Sequence, residues 1–192
     1  MNANRSTLFG ICILALSIQS LPVFGFEIER KAYQAEYKLS SQVGTSQHIM
    51  SFDGKGHGRS EMISSNGSKN VSIIDYNQRK VMLMMPGMRT AMSIPLTDDQ
   101  LSAMGSVSDK MKASAKPLGV KTIQGHICTG TKYSLDGGVE EEIWNGNDIG
   151  GVRVYSKVIA PGAGVSEALL VKFNPSAPAA NLFTLPAGSS IN

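Results

Sequence analysis

VSIIDYNQRKVMLMMPGMRTAMSIPL, residues Val71 to Leu96, decides how this chain is read. It divides into three short apolar runs, Asn70–Tyr76, Lys80–Met85 and Arg89–Ile94, each with the length and composition of a β-strand. Five of the chain's ten methionines, Met82, Met84, Met85, Met88 and Met92, fall between Lys80 and Met92, across the last two runs and the turn that joins them. If Pro86-Gly87 is a two-residue turn, Met85 faces Met88, Leu83 faces Thr90 and Val81 faces Met92. Alternation then puts Val81, Leu83, Met85, Met88 and Met92 on one side and Met82 and Met84 on the other. The hairpin is therefore apolar on both faces, and both need cover. Pro-Gly favours a type II turn, which suits a two-residue hairpin poorly, so a bulge can shift this register.

The same pattern extends outward. Further strand candidates are Phe26–Leu39, Gln47–Phe52, Gly56–Ile63, Val120–Ile123, Ile127–Leu135, Val139–Trp144, Gly151–Ile159 and Val165–Phe173. Asp53-Gly54, Asn66-Gly67 and Asp136-Gly137 accept the positive φ of tight turns. Regular strands with such turns predict a mainly β, largely antiparallel sheet or barrel. One segment departs from it. Thr97 and Gln100 form a capping box, Asp98 and Asp99 sit in the first turn, and Leu101, Met104, Ser108 and Met111 recur at helical spacing. This predicts a single amphipathic helix over Thr97–Ser114, with Lys110 and Lys112 near its C-terminus. A curved antiparallel sheet covered by that helix is the economical α+β assembly. From about residue 175 the chain is rich in Pro, Ala and Ser and reads as an extended tail, tied back by Phe183 and Leu185.

Arg5 precedes the apolar run LFGICILALSIQSLPVFG, which ends in small residues, the order of a secretory signal peptide. Its uninterrupted part, Leu8 to Ile18, is shorter than the roughly 20 residues a membrane span needs. The expectation is cleavage after Gly25, leaving residues 26–192 as one β-rich domain in the periplasm or outside the cell. Removing residues 1–25 takes away Arg5 and Cys12, so 17 Lys plus Arg face 15 Asp plus Glu and one cysteine remains. No intrachain disulfide is then possible, no further segment has membrane-spanning length, and no basic block offers a nucleic-acid footprint.

Three readings of the methionines stay open. Thioethers suit a soft cation such as Cu(I), but several must converge on one point, and Met88 and Met92 lie about 13 Å apart along a strand. Met82 and Met84, with Met88 and His57 or His126, would be the set for such a copper-handling protein. Flexible methionines also fill core or line an adaptable apolar wall. The candidate wall is Leu83, Met85, Met88 and Met92 from the hairpin, Leu101 and Met104 from the helix, and Trp144.

Elsewhere the inventory for catalysis is sparse. Cys128 has His126 two residues away, about 6.6 Å on a strand and too far for a direct thiol-imidazole bond, so a buried inert thiol is the expectation. DGKGHGR, Asp53 to Arg59, matches neither phosphate-binding fingerprint and reads as a turn entering a strand. Glu140, Glu141 and Glu142 alternate along a strand and read as a solvated edge. No catalytic residue, resident metal or cofactor is assigned.

The order of these pieces is itself informative: a signal peptide, a Gly-rich strand with Arg59, the Met-rich hairpin, a helix, IQGHICTGTKY, EEIWNGNDIGGVRVYSKV and a closing FTLPAG. It resembles a small secreted bacterial family of unknown function, whose members share the Asp-containing strand, the Met-rich hairpin, Gly-x-x-Cys, a Trp strand and Phe-x-x-Pro-x-Gly. More distantly it is similar to the LolA-like and LolB-like periplasmic lipoprotein carriers. That resemblance implies a curved half-barrel closed by helices over an apolar cavity, although this chain offers one helix where the carriers have more. The resulting expectation is a non-enzymatic binding protein for a lipid-like or other apolar ligand. An envelope module with a protein partner is the other reading besides copper handling.

Overall fold

Alternating apolar strands with glycine-rich turns can satisfy their backbone groups only in a sheet, and here every described strand enters one. The structure, a computed structural model, describes residues 31–84, 87, 90–97 and 109–191. The signal segment 1–25 lies outside the described residues.

Twelve strands follow in chain order: β1 Ala32–Ser41, β2 Gly44–Asp53, β3 His57–Ser64, β4 Lys69–Asp75, β5 Lys80–Met84, β6 Thr90–Pro95, β7 Lys116–Ile123, β8 His126–Ser134, β9 Glu140–Gly146, β10 Val152–Ala160, β11 Gly164–Asn174 and β12 Ser190–Ile191. They form one open sheet in the order β12-β6-β5-β4-β3-β2-β1-β11-β10-β9-β8-β7. Two antiparallel meanders, β1–β6 and β7–β11, therefore meet where β1 pairs with β11. Every pairing is antiparallel except that of β12 with β6. The turns use the expected glycines: Gly54, Gly67 and Gly137 all have positive φ. The first turn, Gln42-Val43 between paired Ser41 and Gly44, carries its positive φ only at Gly44, after the two turn residues, which is why no dipeptide marks it in the sequence.

Within the span of the helix predicted over Thr97–Ser114 the described residues hold α1 (Asp109–Ser114), with Lys112 in the last turn as expected. Gln100 of its capping box, Leu101 and Met104 lie outside the described residues. The tail departs from a plain coil. It makes a 3-10 turn at Ala180–Phe183 and ends in β12, whose two residues pair with Thr90 and Ala91.

Register assigns the side chains to two faces, because the side-chain period in a strand is two. One carries Tyr33, Ala35 and Tyr37 of β1 opposite Phe52, Met50 and His48 of β2. All six are buried, and the five other than His48 form much of the central core with Leu170 of β11. We call this the tyrosine face. On the opposite face, beyond β3, a separate apolar cluster joins Val71, Ile73 and Met82 with Met84 and Leu185 of the tail. The tail crosses this side as a strap: Arg59 Nη1 donates to the Leu182 carbonyl at 3.0 Å, and the Phe183 ring lies 6.3 Å from that of His57.

Candidate functional site

The methionine hairpin pairs Val81 with Ile94, Met82 with Ser93, Leu83 with Met92 and Met84 with Ala91. Leu83 thus stands opposite Met92, not Thr90, a register two residues away from that of a two-residue Pro86-Gly87 turn, in line with the poor fit of Pro-Gly to such a turn. A shift of two residues leaves the face of every side chain unchanged. Val81, Leu83, Met92 and Ile94 share the tyrosine face, while Met82 and Met84 share the strap face.

The two faces of the hairpin have different cover. On the strap face, Met82 is buried and packs with Val71, Ile73, Met84 and Leu185. Met82 and Met84 thus pack among aliphatic side chains on this face. Among the described residues no three His, Cys, Asp or Glu side chains gather into a metal-binding group. On the tyrosine face, Leu83, Val81 and Ile94 are half-buried, Ile74 is buried, and Met92 is 49% exposed.

Of the expected wall, then, the structure brings Leu83 and Met92 into one cross-strand pair. Met85, Met88, Leu101 and Met104 lie outside the described residues. Trp144 is not brought to them. It sits in β9, seven positions along the sheet from β5, and register places it on the other face. There it is buried against Gly130, beneath the Lys121 ammonium 3.7 Å from its ring centroid, with its indole N–H donated to Glu142. Trp144 is a packing residue, continuous with the central core through Cys128, Val152 and Val154.

The tyrosine face also holds polar groups that the strand pattern did not single out. His48 is buried, and its Nε2 lies 2.7 Å from Ser60 Oγ. Burial pushes its pKa down to about 4, so it is neutral at pH 7. The Tyr37 ring lies 6.3 Å from that of His48, and the Tyr37 hydroxyl donates to the Arg153 carbonyl at 3.1 Å. Arg153 falls at a bulge in the β10–β9 ladder, where backbone groups leave the regular pairing. Its guanidinium Nη1 lies 3.4 Å from Glu141 Oε1, and both side chains are buried.

Glu141 corrects one expectation. The Glu140–Glu142 run is not a solvated edge, because β9 is flanked by β8 and β10, and alternation turns Glu141 inward. Burial pushes its carboxyl above the usual carboxylate range, opposed by Arg153, whose own pKa is lowered by burial. The sequence cue was available: of three consecutive glutamates in a strand, the middle one must face away from its neighbours.

The remaining candidates resolve as local structure. Cys128 is buried, its Sγ donates to the His126 carbonyl at 3.4 Å, and burial raises its pKa. His126 Nδ1 instead lies 2.7 Å from Asp148, so thiol and imidazole are not coupled. In the Asp53–Arg59 turn, Asp53 accepts the backbone N–H groups of Lys55 and His57, and its other oxygen lies 2.6 Å from His57 Nδ1. Burial raises the Asp53 pKa, but these bonds outweigh it and hold the carboxyl below its ordinary value. Two of the turn's backbone donors, those of Lys55 and His57, are thus taken by its own aspartate.

Comparison with curated proteins finds no match. Among solved structures, an uncharacterized conserved protein of Thermus thermophilus aligns over 94% of this chain and 98% of its own, with a TM-score of 0.64 and 10% identity. That likeness establishes a shared fold. The Mycobacterium tuberculosis lipoprotein LppX aligns over 88% of this chain and 98% of its own at a TM-score of 0.47 and 11% identity. A chain of the Pseudomonas aeruginosa MucA/MucB complex aligns over 90% of this chain and 62% of its own, at a TM-score of 0.47 and 12% identity. The family described as a domain of unknown function, DUF4412, matches residues 35–173, which takes in both meanders and nearly all of the tyrosine face, and the chain belongs to that family.

Proposed function

We propose that this protein is a non-enzymatic binding protein, exported by residues 1–25 to the periplasm or the cell exterior, that holds a lipid-like or other apolar ligand against its tyrosine face. The observation that carries this reading is the asymmetry of the methionine hairpin. Its strap face is closed by Leu185, whereas on the tyrosine face Leu83 stands opposite a half-exposed Met92. A flexible thioether beside aliphatic side chains makes an adaptable apolar contact. Met85, Met88, Leu101 and Met104 complete the proposed wall, with the Thr97–Ser114 segment as cover over a curved half-barrel. Trp144, on the other face, is not included.

The test uses the mature chain, exported through its own signal and purified without detergent. Titration with the apolar fluorophore 1-N-phenylnaphthylamine is expected to saturate at one site, and Met92→Asp to weaken uptake at least tenfold with unchanged thermal unfolding. Absence of saturable uptake, together with a native mass equal to the bare polypeptide, overturns the proposal.

A further inference from the structure

The open apolar pair and the tail meet on one hairpin. Ala91 and Met92 are neighbours in β6 and point to opposite faces: Ala91, opposite Met84, is fully buried on the strap face, and Met92, opposite Leu83, is half-exposed on the tyrosine face. β5 repeats the arrangement, since Leu83 stands between Met82 and Met84, which pack with Leu185 of the tail. β6 itself is held by β5 on its inner side and by β12 on its outer side. There Ser190 and Ile191 pair with Thr90 and Ala91, and the Ser190 and Thr90 hydroxyls lie 3.2 Å apart. The strands that carry the proposed ligand wall on one face are therefore gripped by the tail on the other face and at the edge.

That grip comes from separated anchors. The Leu182 carbonyl accepts from Arg59, the Phe183 ring neighbours His57, Leu185 joins the apolar cluster, and Ser190–Ile191 take the edge. Between them Pro186, Ala187 and Gly188 are exposed, as are Pro175, Ser176 and Ala177 before them. The tail also has slack: seven strand spacings separate β11 from β12, about 34 Å in all, whereas the sixteen residue steps from Asn174 to Ser190 can extend over about 53 Å. A slack segment fixed at isolated points opens at a lower free energy than the sheet beneath it. With the tail released, β6 keeps only its β5 ladder among the described strands, and ordering Leu83 against Met92 falls to the ligand.

Resting on the proposed binding of an apolar ligand at Leu83 and Met92, we infer that the tail is a clasp for that site: residues 182–191 hold the β5–β6 hairpin in its binding register, and closure of the clasp on one face strengthens ligand binding on the other. The element with two states is the hairpin, clasped or unclasped, and a ligand's contacts with a fixed Leu83–Met92 pair favour the first. The coupling is reciprocal, so whatever factor the clasp adds to ligand affinity, bound ligand adds to closure of the clasp.

The experiment uses the full mature chain and 1-N-phenylnaphthylamine. Leu185→Ala, on the face away from the site, is expected to weaken uptake of the fluorophore at least fivefold. In the wild-type protein, saturating fluorophore is expected to slow amide exchange over residues 182–191, read by mass spectrometry, at least fivefold. Gly130→Ala, which crowds the Trp144 ring in the distant half of the sheet, is expected to leave uptake unchanged and so separates clasping from general loss of stability. Uptake by Leu185→Ala within fivefold of wild type, an equal loss in Gly130→Ala, or tail exchange indifferent to the fluorophore overturns the clasp and leaves apolar binding standing. The exchange measurement needs no variant, so it decides even if Leu185→Ala does not fold. Failure of the fluorophore to bind the wild-type protein overturns the apolar site and the clasp with it.

Discussion

His48 ties the stability of the folded protein to pH in a way that can be worked out from its surroundings. It is buried between the Tyr37 ring and Ser60, and its pKa falls from 6.5 to about 4. Between those values the unfolded chain binds a proton at this position and the folded chain does not. Stability then rises with pH at about 1.4 kcal/mol per pH unit, and is lost on acidification from pH 6.5 to about 4. Across that window the total is about 3 kcal/mol, a large share of a typical domain's stability. Glu141 acts in the opposite sense, since a carboxyl raised in the folded state binds its proton before the unfolded chain does. Asp53 and Glu61 are lowered, so their contributions fade below their ordinary values, at the acid end of the window. The difference between wild type and His48→Gln isolates the histidine, because the carboxyls are common to both. Urea unfolding followed by the single tryptophan, at half-unit steps from pH 4 to 7.5, should show that difference growing with pH by about 3 kcal/mol and levelling above 6.5. A flat difference across pH 4–6.5 refutes the burial of a neutral imidazole at this position.

A Cβ added at Gly130 would lie 2.7 Å from three carbons of the Trp144 ring. Gly130→Ala should therefore cost about 1–3 kcal/mol in urea unfolding, with a shifted tryptophan emission. Leu185→Ala removes half-buried cover from Val71, Ile73 and Met82; a loss of about 1–2 kcal/mol is expected, with faster amide exchange in β4 and β5 and none in β9. The buried Cys128 should resist an aromatic disulfide reagent at pH 8 in the folded protein and react within seconds in 6 M guanidinium.

How much of this was legible beforehand depends on the range of the interaction. Strand positions and their faces were readable, because alternation and turn chemistry are local: all eleven expected strands correspond to β1 through β11, and the division of Val81, Leu83 and Met92 from Met82 and Met84 survives a two-residue slip of register. Strand order was not, since nothing local says that β1 should pair with β11 and join two meanders. The place of Trp144 in the sheet was hidden for the same reason. An apolar aromatic in a strand announces burial, but which face it shares with a residue seven strands away depends on every intervening register and bulge. The polar groups of the tyrosine face were missed because His48, Ser60 and Arg153 lie dispersed in sequence and become neighbours only across ladders. Glu141 alone could have been recovered, from the parity of the glutamate run.

An open sheet of twelve strands has two edges, and their treatment bears on how such a protein meets a ligand. An unblunted edge recruits strands through its free backbone groups. Here β6 is shortened by Pro95, which cannot donate to another strand, and part of its outer side is taken by the two residues of β12. At the far edge β7 carries Lys116, Pro117 and Lys121, and a bulge between Pro117 and Gly119 breaks its regular spacing. Both devices oppose growth of the sheet by strand addition. Met92 lies on the edge strand β6 itself, so its exposure on a blunted edge has to be read through its side chain rather than its backbone. A partner that brings a β-strand gains few hydrogen bonds there, whereas one that brings hydrocarbon gains burial of Met92 at roughly 25 cal/mol for each Å² of apolar surface removed from water. The described edges thus oppose strand addition, and leave burial of the Met92 side chain as the stronger contact there.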